Sequence, residues 1–176
     1  MQTIRPEISG DHAVIATITE VAFGRPVEAR MIEAIRDSEG YVPELSLVAE
    51  EDGEVVGHVI TSYVSLEDGR RLLELGPIAV RPDLQGTGIG GALVRASLAA
   101  ADQRGEPLVL LLGHPTYYPR FGFRSASAMG LLPPNPILPD EAWMAIPLRA
   151  YSADVRGQVV FPPWFPDEAQ GQAGSR

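Results

Sequence analysis

Val80-Arg81-Pro82-Asp83-Leu84-Gln85-Gly86-Thr87-Gly88-Ile89-Gly90-Gly91-Ala92-Leu93 is the stretch that decides the fold. An apolar run ends at Val80, a glycine-rich loop follows, and a helical pattern begins at Gly88. Glycine lets a backbone turn its N–H groups inward without a Cβ clash. The start of a helix adds N–H groups that have no partner inside the helix, and the positive end of its dipole. Together they make a cradle for an anion such as a diphosphate. The blander reading of the glycines alone is a turn that packs a helix onto a strand.

Upstream, Arg71–Val80 reads as a strand and Gly88–Gln103 as a helix, with Ile89, Leu93, Ala96 and Ala100 on one apolar stripe. Leu108–Leu112 is a short continuous apolar run, the pattern of a strand buried on both faces. Strand, helix, strand predicts a right-handed βαβ unit with parallel strands. Before it, Leu45–Glu50 and Val55–Leu66 read as strands joined by the hairpin signal Asp52-Gly53, and Glu67-Asp68-Gly69 turns the chain into Arg71–Val80.

At the N-terminal end, Thr3–Ile8 reads as a first strand. Asp11 is placed to cap a helix over His12–Phe23, Gly24-Arg25-Pro26 breaks that helix, and a second covers Val27–Asp37. Downstream, Pro115–Arg120 suits one helical turn. Phe123–Gly130 and Trp143–Arg149 are expected to close the sheet as an antiparallel pair, across a proline-rich loop from Pro133 to Pro139. The chain after Tyr151 reads as irregular, and Asp167–Arg176 as disordered. The expected organisation is one domain over residues 1–150 and a C-terminal extension over 151–176.

The chain has 176 residues, 45% of them hydrophobic, enough for one sizeable core. Its formal net charge of -9 and the absence of any basic stripe argue against nucleic acid or an anionic membrane as partner. With no cysteine there is no disulfide framework and no thiolate nucleophile, which fits a cytoplasmic location. No apolar run is long enough to span a bilayer, Met1–Pro6 lacks the basic segment and apolar run expected of a signal peptide, and no pair of histidines or carboxylates has metal-ligand spacing, so no metal is expected.

Two nucleotide motifs compete for the loop. Gly86, Gly88 and Gly91 satisfy G-x-G-x-x-G, but Arg81 to Gln85 separate them from the strand, and the acidic residue expected near Leu112 or Gly113 is missing. The phosphate-loop ATPase pattern fails because no Gly-Lys-Ser/Thr occurs. Gln85-Gly86-Thr87-Gly88-Ile89-Gly90 instead resembles the acyl-CoA loop of the GNAT N-acetyltransferase superfamily, Q/R-x-x-G-x-G/A. Ile78-Ala79-Val80-Arg81-Pro82 resembles that family's fourth strand and its exit. Tyr118-Pro119-Arg120-Phe121-Gly122-Phe123 resembles its Y-x-x-x-G-F motif after the fifth strand.

The resemblance implies an α/β fold with a mixed sheet and splayed, parallel fourth and fifth strands, and an acyl-CoA-dependent N-acyltransferase. Acetyl-CoA would be held by Gln85, Gly86, Thr87, Gly88, Ile89 and Gly90. The backbone of Ile78, Ala79 and Val80 would meet its pantetheine arm, with Gly76-Pro77 as the sequence's own reason for a break in that strand. Tyr118 takes the place of the tyrosine that protonates the leaving sulfur, with Tyr117 as its neighbouring rival. Glu74 takes the place of a glutamate base, set among Leu72, Leu73 and Leu75, which would raise its pKa. His114, His58 and His12 read as structural, and Arg81, Arg120 and Arg124 are further candidates for the phosphates. Phe23–Val27 and Leu132–Leu138 suggest a partly apolar amine acceptor, otherwise unspecified, and homodimerisation stays open. The alternatives are a non-catalytic acyl-CoA-binding sensor or scaffold and, more remotely, a dinucleotide oxidoreductase.

Overall fold

The computed structural model describes residues 2–166, so the expected disorder of Asp167–Arg176 lies outside the described residues. The chain divides into two compact units. Among the described residues one comprises 2–62 and 75–100, the other 63–74 and 101–166.

The first unit opens with β1 (Gln2–Pro6), helices α1 (His12–Phe23) and α2 (Val27–Arg36), and strand β2 (Ser46–Glu51). Strand β3 (Glu54–Leu66) follows, and β1, β2 and β3 pair antiparallel in that order. The β2–β3 hairpin turns on Asp52 and Gly53, both at positive φ (52° and 86°), the left-handed pair that matches the twist of adjoining strands. Helix α1 stops at Gly24, whose φ of 69° is left-handed and whose N–H closes on the Glu20 carbonyl. Ile15, Ile18, Ile32 and Ile35 are buried with Val48 and Val59, each such side chain contributing roughly 1.5–3 kcal/mol.

This unit also buries a charge. The Glu7 carboxylate, beyond β1, accepts two bonds from Arg36 (2.9 and 2.7 Å) and one from the Tyr41 hydroxyl (2.9 Å), and lies 3.2 Å from His58 Nε2. Burial opposes its ionisation, but the Arg36 and His58 hydrogen bonds prevail and hold the carboxyl far below its ordinary value. His58 is fully buried beside the Ser46 hydroxyl (2.9 Å), and burial pushes its pKa down.

The network explains why β1 ends at Pro6 rather than at Ile8, since Glu7 turns inward. The Ile8 amide is satisfied by the Asp11 carboxylate at 2.8 Å instead of a strand. Asp11 therefore does not cap α1 with its side chain, as the sequence suggests. Its carboxylate serves Ile8 and Arg5.

Strand β4 (Arg71–Val80) runs through both units, and α3 (Ile89–Gln103) follows it. In the second unit β5 (Leu108–Leu112) lies parallel to β4, Leu73 opposite Val109 and Glu74 opposite Leu110. Gly76-Pro77 lies beyond that pairing and does not interrupt the strand. With its antiparallel and parallel pairs the sheet is mixed, as expected.

Phe123–Gly130 is not one strand. Only β6 (Arg124–Ser125) pairs antiparallel with β8 (Trp143–Pro147), which also pairs with β5. A 3-10 turn over Ser127–Met129, closed by left-handed Gly130, then leads into β7 (Leu131–Leu132). The chain after Tyr151 is also not wholly irregular. Strand β9 (Gly157–Val160) pairs with Ser65 and Leu66 of β3 and with β7. Aromatic packing fixes it: Phe161 meets fully buried Trp143 edge-on at 6.0 Å and stacks on Phe165 at 3.9 Å.

Candidate active site

In the first unit, Pro82–Leu84 forms a 3-10 turn after β4, and the Gln85 side chain donates back to the Val80 carbonyl at 3.1 Å. The Thr87 hydroxyl donates to the Leu84 carbonyl at 2.7 Å. Gly86 and Gly88 take φ of 79° and 101°, and a Cβ at either would meet nothing within 4 Å. Glycine is thus needed there for the sign of φ, not for space. Ala92 N–H closes on the Gly88 carbonyl, so the amides of Ile89, Gly90 and Gly91 stand ahead of the first helical bond. Gln85 to Gly88 are exposed. The segment is an exposed loop feeding a bare helix start, the form an anion cradle requires.

Gly57 of β3 is a further residue of this region that no sequence motif marks. A Cβ there would lie 3.1 Å from the Ala79 carbonyl oxygen and 3.2 Å from side-chain atoms of Ile89 and Leu93. Its bareness lets β4 and the start of α3 close on β3. An isolated glycine inside a strand pattern was the available signal.

In the second unit, Glu74 is 3% exposed, and its Oε2 is buried with no hydrogen-bond partner among the described residues. Burial pushes its carboxyl up to about 8. Tyr118 lies in the 3-10 turn Tyr118–Phe121, buried, with its ring edge-on to Tyr117 (5.1 Å) and Phe123 (5.8 Å). Burial first, then Tyr117 and the charge of Glu74, push its phenol above the ordinary value, so it keeps its proton at neutral pH. A carboxyl raised to about 8 and a phenol that keeps its proton are the two ionisation behaviours that acid–base chemistry can use.

Tyr117 is half-buried beneath the Arg120 guanidinium, 4.5 Å from its ring centroid, and His114 is exposed. Arg81 is engaged by Asp83 and Glu54, exposed pairs of the kind an incoming phosphate can exchange. Phe23 and Val27 are exposed in the first unit. In the second, a groove of about 550 Å³ is lined by Leu132, Pro133, Pro134, Pro136 and Phe161, with Glu67 as its one carboxylate. Among the described residues no cluster of histidines and carboxylates could hold a metal ion, and no helix is long and apolar enough to cross a membrane.

Residues 43–125 match the family model of the acetyltransferase (GNAT) domain. The chain is 35% identical over 156 residues to the uncharacterized N-acetyltransferase YjhQ of Escherichia coli, covering 85% of this chain and 86% of that one. Its fold is similar to the crystal structure of the E. coli GNAT family N-acetyltransferase YhbS in complex with CoA, with a TM-score of 0.85, 28% identity, and coverage of 93% and 91%. It is also similar to a GNAT family acetyltransferase of Brucella melitensis in complex with acetyl-CoA, with a TM-score of 0.77, 31% identity, and coverage of 94% and 99%.

Proposed function

Given that this chain belongs to the GNAT family and is an acyl-CoA-dependent N-acetyltransferase, we propose that it moves an acetyl group from acetyl-CoA directly to a primary amine of a small molecule or peptide. The observation that carries this reading is the loop, where Gly86 and Gly88 at positive φ lead into the amides that precede the first helical bond of α3. Those amides, with Gln85 and Thr87, hold the diphosphate. The backbone of Ile78, Ala79 and Val80 meets the pantetheine arm. Holding acetyl-CoA in one pose lowers the entropic cost of the attack.

Glu74 is the base and Tyr118 the acid. The amine nitrogen attacks the thioester carbonyl, a C–N bond forms and the C–S bond breaks. Glu74 takes the proton that the amine loses, through water, and Tyr118 gives one to the departing sulfur. Solvent then returns both groups to their starting states. The groove beside Leu132 to Pro136 receives the apolar part of the acceptor, and Glu67 favours a cationic one. The protein works in the cytoplasm and uses no metal.

Acetyl-CoA at millimolar concentration should raise the melting temperature, because a ligand that binds only the native state stabilises it by mass action. Gly88→Val should abolish the rise while the protein stays folded. No rise in the wild type would contradict the reading of the loop.

A further inference from the structure

We propose that Gly113 is a positioning residue, whose missing side chain is the space in which the ring of Tyr118 sits. Gly113 follows β5 directly. Its φ is not in the left-handed region, so its backbone would suit any residue. What forbids a side chain is volume. A Cβ there would overlap Cε2 of Tyr118, approach Cδ2 at 3.0 Å, and lie 3.2 Å from Cδ1 of Leu111.

Neither partner can retreat cheaply. The main chain at Gly113 is tied through its N–H to the Ala142 carbonyl at 3.0 Å, just before β8. The Tyr118 ring is walled by Tyr117 on one edge and Phe123 on another. The Tyr118 amide is also drawn toward the His114 carbonyl, so the turn begins one residue beyond the glycine. Even a methyl group at residue 113 must tilt the ring and carry the phenol oxygen with it. An acid displaced by an ångström is a poor proton donor, since proton transfer needs hydrogen-bond reach. The proposal rests on the reading of Tyr118 as the general acid.

The test is a set of variants, Gly113→Ala, Tyr118→Phe and the two together. Turnover is read as CoA release from acetyl-CoA with a panel of small primary amines and short peptides. Tyr118→Phe should lower kcat by about a hundredfold. Gly113→Ala should lower kcat by at least about tenfold while the KM for acetyl-CoA and the acetyl-CoA melting shift hold, the split expected when only transition-state help is lost. The double variant should be no slower than Tyr118→Phe.

A Gly113→Ala enzyme with wild-type kcat beside a crippled Tyr118→Phe would overturn the proposal and leave the acid in place. Equal slowing by Gly113→Ala in both backgrounds would overturn it too, because the methyl would then act elsewhere. A silent Tyr118→Phe would remove the acid reading itself, and the proposal with it. If Gly113→Ala alone does not fold, pairing it with Tyr118→Ala must restore folding. Persistent failure of that pair overturns the contact.

Discussion

Glu7 and Glu74 are the same residue type, both buried, and they are held in opposite ionisation states. Glu7 is surrounded by donors, two bonds from Arg36, one from Tyr41, and His58 close by. Glu74 has an oxygen with no partner among the described residues, and burial alone sets its pKa. Burial pulls both carboxyls the same way, so the partners decide. A saturated carboxylate fixes β1 to α2 and β3 and has no capacity left for chemistry. An unsaturated one holds its own proton until about pH 8 and can take a proton only once ionised. The first region therefore serves stability, and under the proposed function the second serves turnover.

The comparison is broken most severely at Arg36. Arg36→Met leaves Glu7 buried without its two-bond partner and should cost about 3–5 kcal/mol by urea denaturation at pH 7. Folded Arg36→Met should keep its acetyl-CoA melting shift. A loss below about 1 kcal/mol would mean that the network is not a structural clamp.

A smaller effect lies in the pH dependence of stability. The pKa values of Glu7 and His58 are both lowered in the fold, from ordinary values of 4.5 and 6.5. Their stabilisation is present above those values and is lost as pH falls below 6.5 and then below 4.5. The pKa of Glu74 is raised from 4.5 to about 8, so its contribution is present below 4.5 and is lost as pH rises through about 8. Urea denaturation from pH 4 to pH 9 should show decline at both ends. Glu74→Gln should flatten the alkaline end alone, and an unchanged alkaline end would return Glu74 to an ordinary carboxylate.

The sequence made some of this legible and hid the rest for physical reasons. The hairpin at Asp52-Gly53 and the loop at Gln85–Gly90 were readable because turn and cradle depend on local backbone freedom. Strand β5 was readable as a compact apolar run, and β4 as a mainly apolar stretch between a turn and the glycine-rich loop. Strand β9 was not. Gly157–Val160 becomes a strand only through Ser65, Leu66 and β7, far away in sequence. The run Phe123–Gly130 misled because its composition suits a strand while the left-handed turn at Gly130 divides it. The roles of the two glutamates were half legible. Leucines beside Glu74 announced its burial, but the partners of Glu7 stand 29 and 34 residues along the chain. Gly113 carried no signal in the sequence, because what a Cβ there would meet is the ring of Tyr118.

The measurement that tests the central claim most directly is the pH dependence of kcat for acetyl transfer in the wild type and in Glu74→Gln, with a primary-amine acceptor at saturation. If the unpartnered carboxyl is the base, wild-type kcat rises with pH as Glu74 ionises near 8, and Glu74→Gln lacks that rise and is slowest relative to the wild type above it. A Glu74→Gln profile that follows the wild type at every pH would contradict the account, and would leave the buried carboxyl of β4 without a part in the chemistry.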